Sequence, residues 1–202
     1  MIVNIIEFPE QQGLKCNMMP FIQGDSSSLP KKYKSYSKII DENFLEKGEV
    51  GFLTIDESFV NVGDSQRGYN SFGMNRNVHI EVGSDKHSNV WGYGWSGSYK
   101  TTLNDDTLVL IGNSISDTCR YWDTIEKRYT KDGDLSEYIE SYPEETGVLM
   151  KKGEIAKISI FTPHECVPQK ESAYRQFFRI VGKGVKGRED YFTKNQLVTW
   201  ED

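Results

Sequence analysis

The chain has 202 residues, of which 27% are charged, and a formal net charge of −6, values typical of a water-soluble folded protein. The acidic balance disfavours general binding to nucleic acids or anionic membranes, since both require a basic face. No apolar run approaches the ~20 residues of a membrane span, and the first residues lack the pattern of a signal peptide. We therefore expect a cytoplasmic protein.

The cysteines and aromatic residues narrow the class further. The three cysteines, Cys16, Cys119 and Cys166, are far apart and form no CxxC pair, which indicates free thiols in a reducing compartment. Aromatic residues make up 12% of the chain, which favours strands. A basic cluster runs from Arg175 through Arg179 to Arg188, and we interpret it as a solvated face.

The N-terminal part of the chain predicts one strand and one helix. A short apolar run at 2–8 predicts the strand. Ser28 and Pro30 form a typical helix start, and Tyr33, Tyr36 and Ile40 then recur at helical spacing. We predict an amphipathic helix over about 30–44.

After Gly48 the pattern becomes that of short strands separated by turns. The predicted strands cover 50–55, 58–62, 77–82, 90–103, 107–112, 117–122, 148–151, 155–162, 174–181 and 197–200. A short second helix over 135–141 is predicted between Asp134, as its cap, and Pro143. We predict one domain, 1–202, in which 1–48 packs on a mostly β core of 49–202. The pattern favours a sandwich, a jelly roll or a barrel.

Two histidines and a glutamate are the best candidates for chemistry. His79 and Glu81 are two residues apart on a predicted strand, so their side chains point to one face. His164 begins a predicted loop after the strand over 155–162. Two imidazoles and one carboxylate leave three adjacent positions open on an octahedral Fe(II) ion. His87, in a polar loop, is a weaker candidate.

The same residues carry a family resemblance. The pattern His79-x-Glu81, a long gap, His164 and then Arg175 resembles that of Fe(II)/2-oxoglutarate-dependent oxygenases. Their usual acid is Asp rather than Glu, and a polar residue stands where this chain has Phe177. The resemblance implies a double-stranded β-helix in which His79, Glu81 and His164 bind Fe(II). It also implies that Arg175 binds the distal carboxylate of 2-oxoglutarate, as a planar guanidinium can.

A second resemblance, to the cupins, involves the same two histidines. The spacing of Gly73, His79, Glu81, Asp85 and Gly92 is similar to the first cupin motif, with Glu81 in the place of its second histidine. Cupins share the double-stranded β-helix. This resemblance implies a metal-dependent isomerase or dioxygenase.

Aromatic residues alternate with glycines over 90–99. This segment could be a stacking platform for a ligand or a strand whose rings fill the core. If the chain is an oxygenase, we expect a small molecule or peptide to enter near Arg67, Trp91 or Trp95.

Other interpretations remain open. His79 and His164 could be structural histidines and Glu81 a surface carboxylate, in which case the chain is a non-catalytic binding or assembly protein. A Cys166–His164 nucleophile pair is disfavoured, because residues two apart on a strand lie ~6.6 Å apart along the chain. The sequence does not determine the substrate or the oligomeric state.

Overall fold

The computed structural model describes residues 1–64, 76–81, 83–85, 90–93, 108–128, 133–182 and 192–199, with the backbone alone for 83–85 and 90–93. Within these residues the fold is mostly β, as the sequence predicts, and the pairs of named strands are antiparallel. None of the described helices is long and apolar enough to cross a membrane.

The described residues form eleven strands and a few short helices. The strands are β1 (Ile2–Ile5), β2 (Lys15–Ile22), β3 (Val50–Val60), β4 (Gly83–Asp85), β5 (Val90–Tyr93), β6 (Leu108–Asn113), β7 (Cys119–Tyr121), β8 (Val148–Leu149), β9 (Glu154–Ser159), β10 (His164–Cys166) and β11 (Ala173–Val181). The α-helix α1 spans Ser37–Glu42, and 3-10 helices span Ser26–Ser28, Lys31–Tyr36, Ser136–Ser141 and Glu144–Thr146.

The strands form one large and two small sheets. The large sheet has six strands in the order β1-β9-β6-β11-β3-β2. A three-stranded sheet has the order β10-β7-β8, and β4 pairs with β5. His79 joins the edge of β10 through an isolated antiparallel bridge to His164, so the segment that carries His79 extends the three-stranded sheet.

Strand β11 shows how the large sheet is buried on both faces. Its residues alternate between faces, as successive strand residues must. Phe178 and Ile180 pack with Tyr36 and Ile40 of the N-terminal helical segment. Val181, on the opposite face, belongs to the hydrophobic cluster that also includes Tyr121 of the three-stranded sheet. The N-terminal segment thus covers one face, and the other face meets the second sheet.

The core between the two sheets combines residues from both. Val109 and Ile158 come from the large sheet, and Tyr121 comes from the three-stranded sheet. Val78 and Ile80, in the segment with His79, belong to the same hydrophobic cluster. All are buried. The apolar residues that flank His79 therefore fix its strand in this core, and His79 and Glu81 take the alternate positions.

The structure differs from the sequence prediction at β3. The prediction placed a turn at Asp56 and Glu57 between two strands, but Val50–Val60 is one continuous strand. Glu57 is buried beneath the N-terminal segment and accepts hydrogen bonds from the backbone nitrogens of Gln12 and Leu14, at 2.7 and 2.8 Å. These bonds satisfy the carboxylate inside a strand, where composition alone suggests a turn.

Strand β2 was not predicted at all. It contains Pro20, which ordinarily argues against a strand, and its pairing with β3 shifts register between Cys16 and Met19. Met18 within this bulge has a φ of 47°. The strand tolerates proline because it lies at the edge of the sheet, where one side of the backbone needs no partner.

The helix predicted over 30–44 is present as the 3-10 turn Lys31–Tyr36 followed by α1, and the short second helix as the 3-10 turn Ser136–Ser141. The N-cap of this turn is Leu135 rather than the predicted Asp134, although Asp134 accepts a hydrogen bond from the backbone nitrogen of Ser136 at 2.8 Å. The strand predicted over 197–200 is wrong for its described part, since residues 197–199 are not in a strand.

Candidate functional site

His79 and His164 lie opposite one another although they are far apart in the chain. The backbone nitrogen of each donates to the carbonyl oxygen of the other at 2.9 Å. Directly opposed residues of an antiparallel pair project to the same face. The two buried imidazoles accordingly lie together, with ring centroids 4.3 Å apart and planes inclined by 51°. His164 begins a strand rather than the predicted loop.

Both rings are oriented by the same local hydrogen bond. Nδ1 of His79 lies 2.9 Å from the carbonyl oxygen of Asn77, and Nδ1 of His164 lies 2.9 Å from that of Thr162. A carbonyl oxygen only accepts, so Nδ1 carries the proton in each ring. In the neutral imidazole the lone pair then lies on Nε2, which is how histidine ligands of metals are commonly held.

Glu81 completes the group of three predicted from the sequence. Its backbone nitrogen donates to the carbonyl oxygen of Ile160 at 2.9 Å, which holds its strand beside the turn that leads into His164. One carboxylate oxygen, Oε1, lies 3.5 Å from Nε2 of His164. The side chain is buried, so Glu81 is not the surface carboxylate of the alternative interpretation.

A residue that was not predicted for the site, Arg179, holds the Glu81 carboxylate. Its Nη1 lies 3.2 Å from Oε1 and 3.1 Å from Oε2 of Glu81, and its Nη2 lies 3.4 Å from Oγ1 of Thr54. Arg179 is 3% exposed, so it is not on the solvated face expected for the basic cluster. The guanidinium compensates the charge of a carboxylate that would otherwise be costly to bury.

These side chains border a cavity of about 460 Å³. Its walls come from the large sheet and from the segments with His79 and His164. The residues that line it include Thr54, Asp56, His79, Glu81, Cys119, His164, Cys166, Phe177 and Arg179. The cavity therefore brings together basic, acidic and thiol groups inside the β core.

All three cysteines line this cavity, and two of them face each other. Cys119 of β7 and Cys166 of β10 are directly opposed across the strand pair, and neither is in a disulfide. Burial raises the pKa of the Cys119 thiol well above its usual range, and nearby acidic groups raise it further. Cys119 is therefore a protonated thiol at neutral pH.

Arg175, the predicted co-substrate ligand, leaves β11 on the same face as Phe177 and Arg179. It is 2% exposed, and its Nη2 lies 3.4 Å from Oδ2 of Asp56, a cavity residue. Burial lowers the pKa of its guanidinium, although Cys166 and Asp56 oppose this shift. Its Nε has no hydrogen-bond partner among the described residues. Arg175 itself is not among the residues that line the cavity.

An ion-pair network beside the site holds the chain segment that precedes His79. Glu165, next to His164, bonds both Nε of Arg76 at 3.0 Å and Nη1 of Arg120. The Nη2 of Arg120 lies 2.9 Å from Glu144. Glu165 is 2% exposed, so these are mostly buried bonds. They tie the chain just before His79 to the strands that carry His164.

The structure does not describe the side chains of the predicted substrate residues. Trp91 lies in β5, of which the structure describes the backbone. Outside the described residues lie two predicted substrate contacts, Arg67 and Trp95, and the weaker ligand candidate His87. Gly73 of the cupin pattern lies outside them as well. Most of the aromatic segment over 90–99 likewise lies outside the described residues.

The described arrangement is not that of a preformed metal site. No group of three or more His, Cys, Asp or Glu side chains among the residues the structure describes could hold a metal ion as they stand. Comparison with protein-family models, with curated proteins and with solved structures finds no match. The site is therefore interpreted from its own chemistry.

Proposed function

We propose that this chain is an Fe(II)- and 2-oxoglutarate-dependent oxygenase that hydroxylates a small molecule or peptide. The observation that carries the proposal is the pair of opposed histidines. Their Nδ1 atoms are bound to backbone carbonyls, and Glu81 reaches Nε2 of His164. Two imidazoles and one carboxylate are the ligand set of non-haem Fe(II) oxygenases.

The ligand spacing supports the fit in part. Two adjacent ligand atoms at ~2.1 Å from one metal ion lie about 3 Å apart. Oε1 of Glu81 and Nε2 of His164 are 3.5 Å apart, so a small displacement would suffice between them. Glu81 would also have to give up or share its contacts with Arg179, which now engages both carboxylate oxygens.

The path of the chain supports a double-stranded β-helix. In a jelly roll, eight strands pass back and forth between two facing sheets. Apart from the β4–β5 pair, the chain runs through β3, the His79 segment, β6, β7, β8, β9, β10 and β11. Of these eight, β3, β6, β9 and β11 lie in the six-stranded sheet. The others, which are the His79 segment, β7, β8 and β10, belong to or extend the three-stranded sheet. The histidines lie on the second and the seventh.

The arginines of β11 supply the positive charge that a dicarboxylate co-substrate needs. Arg175 is buried, its one described ion pair, with Asp56, is long at 3.4 Å, and its Nε is unsatisfied among the described residues. Such a guanidinium can bind a carboxylate through two parallel hydrogen bonds. We assign Arg175 this role and assign Arg179 to Glu81. Arg67, Trp91 and Trp95 remain the proposed substrate contacts.

In this function the metal supplies the open positions at which oxygen is activated. The protein supplies the rest. The Asn77 and Thr162 carbonyls keep both imidazoles in the ligand tautomer, and the apolar core limits access of water to the reaction. Buried guanidinium groups orient an anionic co-substrate.

An anaerobic titration tests the proposal. Fe(II) followed by 2-oxoglutarate should give the wild type a visible charge-transfer band, and His79→Ala should abolish it. Glu57→Gln is the matched control, because Glu57 is as buried as Glu81 but does not line the cavity, so its band should persist. Metal uptake without the band would favour a cupin-type metal site. No metal uptake would contradict both and favour a non-catalytic protein.

A further inference from the structure

Two of the three cysteines that line the cavity lie directly opposite one another in a strand pair. Cys119 and Cys166 are direct partners in the antiparallel register of β7 and β10. The adjacent pair is hydrogen-bonded, since the backbone nitrogen of Val167 donates to the carbonyl oxygen of Thr118 at 3.0 Å. Hydrogen-bonded and non-hydrogen-bonded pairs alternate along such a ladder. Cys119 and Cys166 therefore form a non-hydrogen-bonded pair.

This position brings the thiols within reach of one another. Cα atoms of a non-hydrogen-bonded pair lie about 4.5 Å apart, with side chains on one face. That separation falls within the ~4.4–6.8 Å found in disulfides. Both side chains face the same cavity, where a small oxidant can enter. The third cysteine, Cys16, also lines the cavity, but it lies in β2 of the other sheet and its Sγ donates to the carbonyl oxygen of Leu53 at 3.6 Å.

We propose that Cys119 and Cys166 are a redox pair that hydrogen peroxide converts to a disulfide in the cavity wall. Cys166 is the more exposed of the two and reacts first. Its sulfur attacks the peroxide, becomes a sulfenic acid and releases one water molecule. The Cys119 sulfur then displaces the hydroxyl group, which leaves as a second water molecule with the remaining thiol proton. The two thiols lose two electrons, and the peroxide gains them.

The modification would act at the proposed site. Cys166 lies two residues after His164 on the same strand, so the disulfide forms beside that imidazole. It replaces two separate thiol groups by one rigid bridge and changes the shape and polarity of the cavity. A dithiol reductant reverses it by exchange. The inference needs the pairing of β7 with β10 and no metal, so it can fail or hold independently of the oxygenase proposal.

Peptide mapping after mild oxidation tests this inference. Wild-type protein and Cys16→Ser are treated with hydrogen peroxide in the presence of EDTA, alkylated and digested without reductant. Both should yield a linked peptide containing Cys119 and Cys166, lighter by about 2 Da than the sum of its reduced parts. Dithiothreitol before alkylation should remove it.

Two further variants serve as controls, after circular dichroism has shown that they fold. Cys166→Ser should leave Cys119 open to alkylation after denaturation, and Cys119→Ser should stop Cys166 oxidation at the sulfenic or sulfinic acid. The proposal is overturned if wild-type Cys166 accumulates as sulfinic acid while Cys119 stays a thiol. It is also overturned if both cysteines stay reduced under peroxide that oxidises Cys166 in the Cys119→Ser variant.

Discussion

His79 and His164 face each other across an antiparallel bridge, and each donates its backbone N–H to the other's carbonyl oxygen at 2.9 Å. This relationship places two imidazoles side by side in the β core, 4.3 Å apart between ring centroids. The backbone bridge fixes the separation of the two main chains, and the Nδ1 bonds to the Asn77 and Thr162 carbonyls orient the rings. The backbone around each histidine therefore sets the position of its ring.

Replacing Arg179 should leave the buried charge of Glu81 without its cation, which lowers the free energy of unfolding and frees the carboxylate to bind a metal ion. In Arg179→Gln the carboxylate of Glu81, 4% exposed, loses a cation that contacts both of its oxygens. Breaking a buried pair in this way costs about 3–5 kcal/mol of the free energy of unfolding. Mn(II), which carboxylate and imidazole bind, should restore part of it, about 2.7 kcal/mol at a hundredfold excess over Kd. Urea unfolding with and without Mn(II) measures both effects.

Arg175→Gln is the matched control for that experiment. Arg175 is also buried on the same face of β11, but its carboxylate partner is Asp56, not Glu81. Mn(II) should stabilise Arg175→Gln no more than it stabilises the wild type. If Mn(II) fails to stabilise Arg179→Gln more than the wild type, Glu81 is not a metal ligand in competition with Arg179.

Replacing Glu165 should weaken the framework that holds the site. Glu165→Gln removes the charge that Arg76 and Arg120 share, and Glu165 is 2% exposed. We expect a loss of about 3 kcal/mol in the free energy of unfolding, because buried guanidinium charge is left without full compensation. Chemical denaturation measures it.

An exposed ion pair provides the comparison for Glu165. Lys151 and Asp117 are 3.3 Å apart, and the lysine side chain is 63% exposed. Asp117→Asn should cost less than about 1 kcal/mol, since solvent screens such pairs, and asparagine tolerates the φ of 62° at this position. Equal losses in the two variants would show that the Glu165 network does not stabilise the fold.

Glu57 should make stability depend on pH in the acid range. Burial alone would raise its pKa, but hydrogen bonds from the backbone of Leu14 and Gln12 and from Gln176 and Tyr36 outweigh burial and lower the pKa below the ordinary 4.5. The unfolded state therefore binds the proton more readily. This contribution is complete above pH 4.5 and is lost as pH falls through the lower pKa of the folded state.

Two variants separate the carboxylate of Glu57 from its surroundings. Glu57→Gln should lose about 1–3 kcal/mol at neutral pH, and its deficit should shrink as the pH falls below about 4.5. Tyr36→Phe removes one donor, 2.9 Å from Oε1 of Glu57, but keeps the carboxylate, so its pH profile should retain most of the slope. A constant deficit of Glu57→Gln at all pH values would contradict this assignment. Thermal unfolding from pH 3 to pH 7 measures the profiles.

The sequence predicted those parts of the fold that local patterns determine. Strand β11 was predicted over 174–181 and spans Ala173–Val181, because its apolar and aromatic run has strong β propensity. His79 and Glu81 were expected to share one face, and both line the cavity. Strand β2 was missed because Pro20 and the bulge at Met18 hide a strand that only the sheet edge permits.

Long-range partners were the part that sequence could not determine. Arg175 and Arg179 lie on one face of one strand, and alternation does not say which of them reaches Glu81. Both arginines nevertheless stand in an apolar run with Phe177, Phe178 and Ile180. This run indicates a strand that is buried on both faces, so the arginines could have been expected to be buried as well. The bridge between His79 and His164 depends on sheet pairing across a long chain separation, which no local pattern encodes.

Metal binding by His79 and His164 is the central claim, and equilibrium dialysis against Fe(II) without oxygen tests it most directly. Protein purified without a histidine tag should retain one metal ion per chain. His79→Ala and His164→Ala should each retain far less, whereas Glu57→Gln should match the wild type. Circular dichroism should show that all four proteins are folded. Equal retention in the wild type and in both histidine variants, or none in the wild type, would contradict the account.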